Sequence, residues 1–179
     1  GNDQLIGVGN FDNYFQSSPG NNIYDGGPNG QYGDRIDYSA SPNRVTVNLS
    51  TGIAQNGYGG VDQLRNIEHV TGSAFADSLV GNAATNWLNP GSGNDTIDGG
   101  SGQDVVMYEE ATAGVNVNLL TGVATGTSIG TDILISIEAV HGSRNYNDII
   151  QLSNNGGWAF GRGGNDQITG GTGDDDLIG

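Results

Sequence analysis

The sequence predicts an all-β fold, a right-handed parallel β-roll or β-helix, on the strength of two kinds of repetition. A period of nine residues places an acidic or amide residue two positions before an apolar one, again and again along the chain. A longer unit of about 70 residues also recurs as a whole, with a one-residue slip in its second part. An α-helix has no nine-residue period, whereas a glycine turn followed by a three-residue strand does. The repeats therefore predict a solenoid.

Each nonapeptide is interpreted as a turn that ends in Asp, followed by a strand whose single apolar residue points inward. Two nonapeptides then make one coil. In the first ladder, the acidic column is Asp77, Asn86, Asp95 and Asp104, and the apolar column is Leu79, Leu88, Ile97 and Val106. In the second ladder, the columns are Asp148, Gly157, Asp166 and Asp175 over Ile150, Ala159, Ile168 and Leu177. At the N-terminus, Asp3 and Asp12 stand over Leu5 and Tyr14.

The long repeat divides the predicted solenoid domain into three parts. Residues 1–33 form a partial N-terminal ladder with an insertion loop from residue 13 onward, residues 34–103 form the first unit, and residues 104–179 form the second. Within the units, residues 45–49 and 115–119 alternate apolar and polar side chains and are predicted to be strands, followed by turns at Thr51-Gly52 and Thr121-Gly122. Residues 66–70 could form another strand or a short helical turn, and the strand is favoured.

Composition and charge exclude several functions. Five basic residues against 20 acidic ones give a formal net charge of −15, which disfavours nucleic acid and anionic membranes and attracts cations. The chain has no Cys, so it has neither disulfides nor thiolate metal sites. No apolar run is long enough for a membrane helix, and we expect no membrane insertion.

The glycine-rich turns have the chemistry of a calcium site. Glycine permits backbone angles at which several carbonyl oxygens converge, and the Asp that ends the turn adds a carboxylate. Hard oxygen donors of this kind suit Ca²⁺. The turn glycines assigned to these sites are Gly91, Gly93, Gly99, Gly100, Gly102, Gly161, Gly163, Gly170, Gly171 and Gly173.

These segments resemble the RTX family of secreted bacterial proteins, whose nonapeptide G-G-x-G-x-D-x-U-x builds a calcium-loaded parallel β-roll. The resemblance implies that turn carbonyls and the Asp carboxylate bind several calcium ions between successive coils. It pairs Asp77 with Asp95, Asn86 with Asp104, and Asp148 with Asp166, while Asp175 faces Gly157. Asp3 and Asp12 are assigned to the same kind of site.

Three departures from the repeat predict weaker or empty sites. Asn86 is a neutral ligand, Gly157 provides no side chain, and Pro90 replaces the first glycine of its turn. The recurring carboxylates Asp62/Asp132 and Glu68/Glu138 have two open interpretations, extra calcium ligation and hydrogen bonding at coil ends. His69 and His141 do not recur and are expected at the surface.

Trp87 and Trp158 directly follow the acidic column, where the pattern points side chains outward. They are either covered by neighbouring segments or form a glycan-binding surface. Without a nucleophile and base pair or a phosphate loop, we expect no enzyme activity from this chain. We expect instead a structural or adhesive, calcium-folded module of a larger secreted or cell-surface protein.

The alternatives are a carbohydrate-binding module and the folding or secretion region of an RTX enzyme such as a protease, lipase, or polysaccharide lyase or epimerase. Gly1 and Gly179 both lie inside repeats, so end-to-end self-association is a further expectation.

Overall fold

The computed structural model describes residues 1–28 and 32–179, and every regular element in these two ranges is a β-strand. Most strands are three residues long. In chain order the strands are β1 (Gln4–Ile6), β2 (Tyr14–Gln16), β3 (Ile23–Asp25), β4 (Arg35–Asp37), β5 (Thr46–Asn48), β6 (Ile53–Gln55), β7 (Val61–Arg65), β8 (His69–Thr71), β9 (Ser78–Val80), β10 (Trp87–Asn89), β11 (Thr96–Asp98), β12 (Val105–Met107), β13 (Asn116–Asn118), β14 (Val123–Gly126), β15 (Gly130–Ile135), β16 (Ala139–His141), β17 (Ile149–Gln151), β18 (Gly157–Phe160), β19 (Gln167–Thr169) and β20 (Asp175–Ile178). Among the described residues, no helix could cross a membrane.

The strands form two sheets, which we call the long and the short sheet. The long sheet has twelve strands in the order β1-β3-β7-β6-β5-β9-β11-β15-β14-β13-β17-β19. The short sheet has eight, in the order β2-β4-β8-β10-β12-β16-β18-β20. In the ladders the chain alternates between the sheets, and β9 pairs in parallel with β11, so that Leu79 faces Ile97. The predicted coil of two nonapeptides, and with it the parallel solenoid, is confirmed.

The core is a narrow strip between the two sheets. Leu79 and Ile97 from the long sheet and Leu88 and Val106 from the short sheet are fully buried. In β9, β10 and β11 the middle residue is buried while its two neighbours are half-buried. One inward apolar residue per strand is therefore observed in these three strands, as the sequence predicts. At the end of the second ladder the prediction is wrong, because no further coil covers it: Ile168 is half-buried and Leu177 is 43% exposed.

The two spacers form antiparallel meanders inserted in the long sheet. β6 pairs antiparallel with both β5 and β7, and β14 pairs in the same way with β13 and β15. The predicted strands at residues 45–49 and 115–119 are confirmed as β5 and β13. Because β7 lies beside β3 while β5 lies beside β9, the chain runs backward along the stack in each meander.

The N-terminal region differs from the prediction in two ways. Residues 13–33 were expected to be an insertion loop, but they contain β2 and β3, which pair with β4 and β7; residues 29–31 lie outside the described residues. The register is also shifted by one: Phe15 is buried and Tyr14 is 62% exposed. Asn13, not Asp12, therefore precedes the strand, because the turns in this region do not keep to nine residues.

The predicted strand at residues 66–70 is wrong in its first half. The chain turns at Asn66, which has φ 50°, and β8 begins only at His69. Ser136 makes the same turn in the second unit, with φ 51°, before β16. A tight turn therefore replaces the glycine-rich turn at both spacers.

His69 and His141 were expected at the surface, and this prediction is wrong: they are only 5% and 6% exposed. Both lie on the outer face of the short sheet, where aromatic side chains cover them. The ring centroid of Trp87 is 5.3 Å from that of His69 and 5.7 Å from that of His141, and Trp158 is 5.0 Å from His141. Burial lowers the pKa of both histidines, which favours their neutral form.

Candidate metal sites

Two columns of side chains run along the solenoid where the turns meet the strands. Each column consists of residues at the boundary between a turn and the parallel-paired part of the strand that follows it. The long-sheet column holds Asp3, Asn22, Asp62, Asp77, Asp95, Asp132, Asp148 and Asp166. The short-sheet column holds Asn13, Asp34, Glu68, Asn86, Asp104, Glu138, Gly157 and Asp175.

In most of the column side chains, one oxygen accepts a backbone hydrogen bond from the neighbouring coil. The N–H of Asp77 donates to Asp95 Oδ1 at 2.7 Å, and the N–H of Asp95 donates to Asp132 Oδ1 at 3.0 Å. The predicted pairs are all brought together by such bonds. They join Asp77 to Asp95, Asn86 to Asp104 at 2.7 Å, and Asp148 to Asp166 at 2.9 Å.

The second carboxylate oxygen differs in its contacts from one column residue to the next. In Asp148 it accepts the N–H of Ser143 at 2.6 Å, within the same turn. In other column residues one oxygen is buried and has no hydrogen-bond partner among the described residues. These oxygens are Asp34 Oδ2, Asp95 Oδ2, Asp104 Oδ2 and Asp175 Oδ1. A buried carboxylate oxygen without a partner is costly, and a bound cation would satisfy it.

The turns provide carbonyl oxygens at the same places. A Cβ added at Gly72 would approach Asp77 Oδ2 and the carbonyl oxygen of Pro90 in the next coil closer than 3.0 Å, so these two oxygens face each other across the glycine. Gly142 lies in the same way between Asp148 Oδ2 and the carbonyl oxygen of Gly161. Among the described residues, no group of three or more His, Cys, Asp and Glu side chains is placed to hold a metal ion. Carbonyl oxygens are thus part of any donor set in these turns.

Several of the predicted turn glycines need the absence of a side chain. Gly93 and Gly102 have φ of 140° and 137°, where other residues are strained. A Cβ at Gly93 would lie 2.7 Å from the carbonyl carbon of Phe75 in the neighbouring coil. Arg162 takes the place of the second turn glycine with φ 75°, so this turn keeps its shape at some cost in strain.

Burial raises the pKa of several carboxyl groups in the columns. The pKa of Asp95 rises to about 7, because of burial first and the neighbouring Asp132 and Asp77 charges next, against the opposing hydrogen bond from the Asp77 N–H. The pKa of Asp104 rises to about 6 from burial, with Glu138 adding to it. Burial also raises the pKa of Asp77 and Asp148. A divalent cation would stabilise the ionised form of all four groups.

The recurring spacer carboxylates form hydrogen bonds in both units. Asp132 Oδ2 accepts the Tyr108 hydroxyl at 2.9 Å. Glu138 Oε2 accepts the N–H of Asp104 at 2.9 Å, and Glu68 Oε2 accepts the N–H of Asp34 at the same distance. Of the two interpretations left open by the sequence, hydrogen bonding at the coil ends is therefore observed.

The three departures from the repeat have visible consequences. The side chain of Asn86 is hydrogen-bonded at both ends, since Oδ1 accepts the Asn82 N–H at 2.7 Å and Nδ2 donates to the Glu68 carbonyl at 2.8 Å. Pro90 still presents its carbonyl oxygen to Gly72. Gly157 leaves a gap in the short-sheet column, which opens into a cleft of about 600 Å³ lined by Trp158 and the acidic residues Glu138, Asp174, Asp175 and Asp176.

Asp3 and Asp12 lie at the N-terminal end, in different settings. Asp3 belongs to the long-sheet column, and its N–H donates to Asn22 Oδ1 at 3.0 Å. Asp12 lies outside the column, because Asn13 takes the position before β2; its Oδ1 accepts the N–H groups of Tyr32 at 2.9 Å and Gly33 at 3.0 Å. Asp12 is therefore not paired with a carboxylate of the next coil.

Sequence reasoning missed Asp34 as a column residue. It is fully buried, it occupies the short-sheet column, and its Oδ2 is one of the unpartnered oxygens. The signal was present in the sequence, because Asp34 recurs as Asp104 in the long repeat and Asp104 was assigned to a calcium site. The irregular turn before Asp34 concealed it.

Trp87 and Trp158 point outward, as predicted, and both are half-buried. They pack against Val105, Met107 and Ala139, a small apolar cluster on the outer face of the short sheet. Their indole rings therefore help to cover this face, while Trp158 also borders the cleft at Gly157.

Comparison with known families agrees with the architecture of the turns. The RTX calcium-binding nonapeptide repeat matches the chain in four copies, at residues 69–106 and 154–179. No significant match is found among curated proteins. The matched ranges include Asp77, Asp95, Asp104, Asp166 and Asp175, and repeats of this family bind several calcium ions. Residues 69–106 and 154–179 therefore carry RTX calcium-binding nonapeptide repeats, within a chain that folds as a parallel β-solenoid.

Proposed function

We propose that calcium folds this chain and that it serves as a non-catalytic structural or adhesive module of a larger secreted or cell-surface protein. The observation that carries the proposal is the environment of Asp95. This side chain is 1% exposed, its Oδ2 has no hydrogen-bond partner among residues 1–28 and 32–179, and it lies in the column between Asp77 and Asp132. Calcium would be a folding ligand, not an accessory.

The energetics of the column support this role for calcium. Neighbouring strands lie about 4.8 Å apart, so ionised carboxylates stacked in a column repel one another strongly in a buried setting. The opposing apolar burial is small, because each ladder strand places only its middle residue in the core. Chain entropy opposes folding throughout. A divalent cation between coils converts the repulsion into attraction.

We assign the calcium ligands to the turns of the two ladders. The carboxylates of Asp77, Asp95, Asp104, Asp148 and Asp166 would act together with carbonyl oxygens of the glycine-rich turns. Asp175, opposite Gly157, would belong to a weaker site, as would Asn86. Extracellular calcium modules bind at about 0.1 to 1 mM, so the chain would stay unfolded in the cytosol and fold after export.

The experiment is a calcium titration of the chelated and dialysed chain, followed by far-UV circular dichroism, with magnesium as the control ion. We expect a cooperative gain of β signal with calcium and not with magnesium. Asp95→Asn should move the midpoint to higher calcium, whereas Asp176→Asn, at an exposed position, should not. A metal-free chain with the full β signal would disprove calcium-dependent folding.

A second candidate function is glycan binding, which the cleft at Gly157 favours. Trp158 borders this cleft together with carboxylates that can accept hydrogen bonds from sugar hydroxyls. Binding on a glycan array that is lost in Trp158→Ala and kept in Trp87→Ala would support the cleft as the binding site. Equal loss in both variants would point to the stability of the outer face, and no binding by the wild-type chain would end this candidate.

A further inference from the structure

Two junctions between ladder and spacer have the features of the repeat turns although their spacer segments are not nonapeptides. The first junction is formed by Asp34, Asn66 and Glu68, and the second by Asp104, Ser136 and Glu138. In each, a short-sheet column carboxylate faces the tight turn of a spacer strand. Except for Asp104, these residues lie outside the matched repeats.

The junctions place a carboxylate oxygen and a carbonyl oxygen together in the same way as the ladders. A Cβ at Gly26 would collide with both Asp34 Oδ2 and the carbonyl oxygen of Asn66. A Cβ at Gly99 would collide with both Asp104 Oδ2 and the carbonyl oxygen of Ser136. Within the ladder, Gly72 separates Asp77 Oδ2 from the Pro90 carbonyl oxygen in the same arrangement.

The left-handed turn residues explain why a carbonyl oxygen reaches this place without a glycine-rich turn. Asn66 and Ser136 have φ of 50° and 51°, and they are two of the three non-glycine residues with positive φ among the described residues. Such a conformation costs about 1 kcal/mol or more for a side-chain-bearing residue. Its appearance at equivalent positions of both units indicates a common requirement.

The carboxylate oxygens at the junctions are buried and unpartnered. Asp34 and Asp104 are both fully buried, and the Oδ2 atom of each has no hydrogen-bond partner in the described structure. Their Oδ1 atoms are used, accepting the N–H groups of Asn13 at 2.6 Å and Asn86 at 2.7 Å. The remaining oxygen of each is therefore free to bind a ligand with positive charge.

A second carboxylate is hydrogen-bonded to the backbone of each of these aspartates. Glu68 and Glu138 use Oε2 to accept the N–H of the preceding column residue, at 2.9 Å in both units. Glu68 also borders a polar cleft of about 190 Å³, and Glu138 borders the larger cleft at Gly157. Each junction therefore has one of its carboxylates at the edge of a cleft.

We propose that each junction binds a calcium ion, held by the Asp carboxylate, the carbonyl oxygen of the left-handed residue and the Glu carboxylate, with water completing the shell. At the second junction this is the ion that Asp104 binds, and at the first junction it is an additional ion. Carboxylate, carbonyl and water oxygens are the donors that Ca²⁺ takes in flexible geometry. The inference rests on the proposed calcium-dependent fold and extends it to the spacers. The calcium array would thus continue across the spacers along the short sheet.

The test is the number of calcium ions bound per chain, measured by isothermal titration calorimetry with native mass spectrometry. Asp34→Asn keeps the Oδ1 acceptor and replaces the unpartnered Oδ2 with an amide. We expect the stoichiometry to fall by one ion per chain. Glu110→Gln, outside the ladders and the junctions, is the control and should bind as many ions as the wild-type chain.

A second variant tests the junction sites independently, in case Asp34→Asn does not fold. Glu138→Gln keeps an acceptor oxygen for the Asp104 N–H, and we expect one site to weaken at least about tenfold with the loss of a ligand charge. Glu110→Gln, on a side chain that is 73% exposed, is its control. Unchanged stoichiometry and affinity in both junction variants would overturn the junction sites alone. No calcium binding by the wild-type chain would instead overturn the proposed function.

Discussion

The buried hydroxyl of Tyr108 donates a 2.9 Å hydrogen bond to Asp132 Oδ2, and Tyr38 repeats this contact with Asp62 at 3.3 Å. Both aspartates are fully buried and lie where the long-sheet column meets a meander. Burial raises the pKa of Asp132 to about 6, and the Tyr108 hydroxyl opposes that rise. The hydroxyl of Tyr108 provides a hydrogen-bond donor to Asp132 Oδ2 at the end of the ladder, where a meander strand follows in the long sheet.

Removing this hydroxyl should destabilise the fold. Tyr108→Phe leaves Asp132 Oδ2 buried without its partner, and we expect the free energy of unfolding in saturating calcium to fall by about 1 to 3 kcal/mol. Tyr38→Phe should cost less, because its bond is longer. Tyr58→Phe is the control, since its exposed hydroxyl bonds only to the Ala40 carbonyl. Denaturant midpoints measure the three effects, and equal midpoints for Tyr108→Phe and the control would contradict the assignment.

The inward residue of a ladder strand should carry most of that strand's packing energy. Leu88 is fully buried and Leu120 is 51% exposed. We expect Leu88→Ala to lower the free energy of unfolding in calcium by about 2 to 5 kcal/mol, and Leu120→Ala to leave it nearly unchanged. Thermal or denaturant unfolding measures both. Similar losses in the two variants would mean that the core strip does not dominate stability.

The metal-free chain should fold better in mild acid than at neutral pH. The pKa of Asp95 is raised to about 7 and that of Asp104 to about 6, whereas an unfolded Asp titrates near about 3.9. Between these values the folded chain binds more protons than the unfolded chain, so stability falls as pH rises from about 4 to about 7. Circular dichroism of the dialysed, metal-free chain should show its β signal decreasing over that range.

Calcium binding should have the opposite pH dependence. Calcium displaces the protons held by the raised-pKa carboxyl groups, so its apparent affinity should increase from about pH 5 to pH 8. Asp95→Asn removes the group with the highest of these pKa values and should flatten the dependence. Calorimetry at several pH values measures it, and an affinity that is independent of pH in the wild-type chain would refute the linkage.

A side chain at Gly93 should separate two coils. Gly93 has φ 140° and would place its Cβ 2.7 Å from the Phe75 carbonyl carbon and oxygen, whereas Gly59 has φ 92° with nothing within 4 Å. Gly59→Ala should cost only the backbone strain of about 1 to 2 kcal/mol. Gly93→Ala should in addition raise the calcium concentration needed for folding. A calcium midpoint shifted equally in both variants would argue against close contact between the turns.

The ladder could be predicted from the sequence because each nonapeptide carries its own turn and strand. Once the period is known, Leu79 must face Ile97 and Asp77 must lie beside Asp95. The predicted register of the N-terminal region was wrong, because its turns are not nine residues long. The inward position is therefore Phe15 and not Tyr14. The backward path of the meanders depends on which strands become neighbours, and no local pattern encodes that choice.

The burial of residues on the outer face of the short sheet also could not be predicted from local sequence patterns. His69 and His141 are buried by Trp87 and Trp158, which lie on other strands and come together only through the stacking of coils. The carbonyl oxygens of Asn66 and Ser136 are a similar case, because their positions depend on a left-handed backbone angle that neither residue type requires.

The unequal strand counts of the two sheets shape the whole array. At about 4.8 Å per strand interval, the twelve-stranded sheet spans about 53 Å and the eight-stranded sheet about 34 Å. Each meander adds two strands to the long sheet and none to the short sheet. The stack of coils is therefore wider on the side of the long sheet at each meander. A tandem series of such units would trace an arc instead of a straight rod, with Trp87 and Trp158 on its concave side.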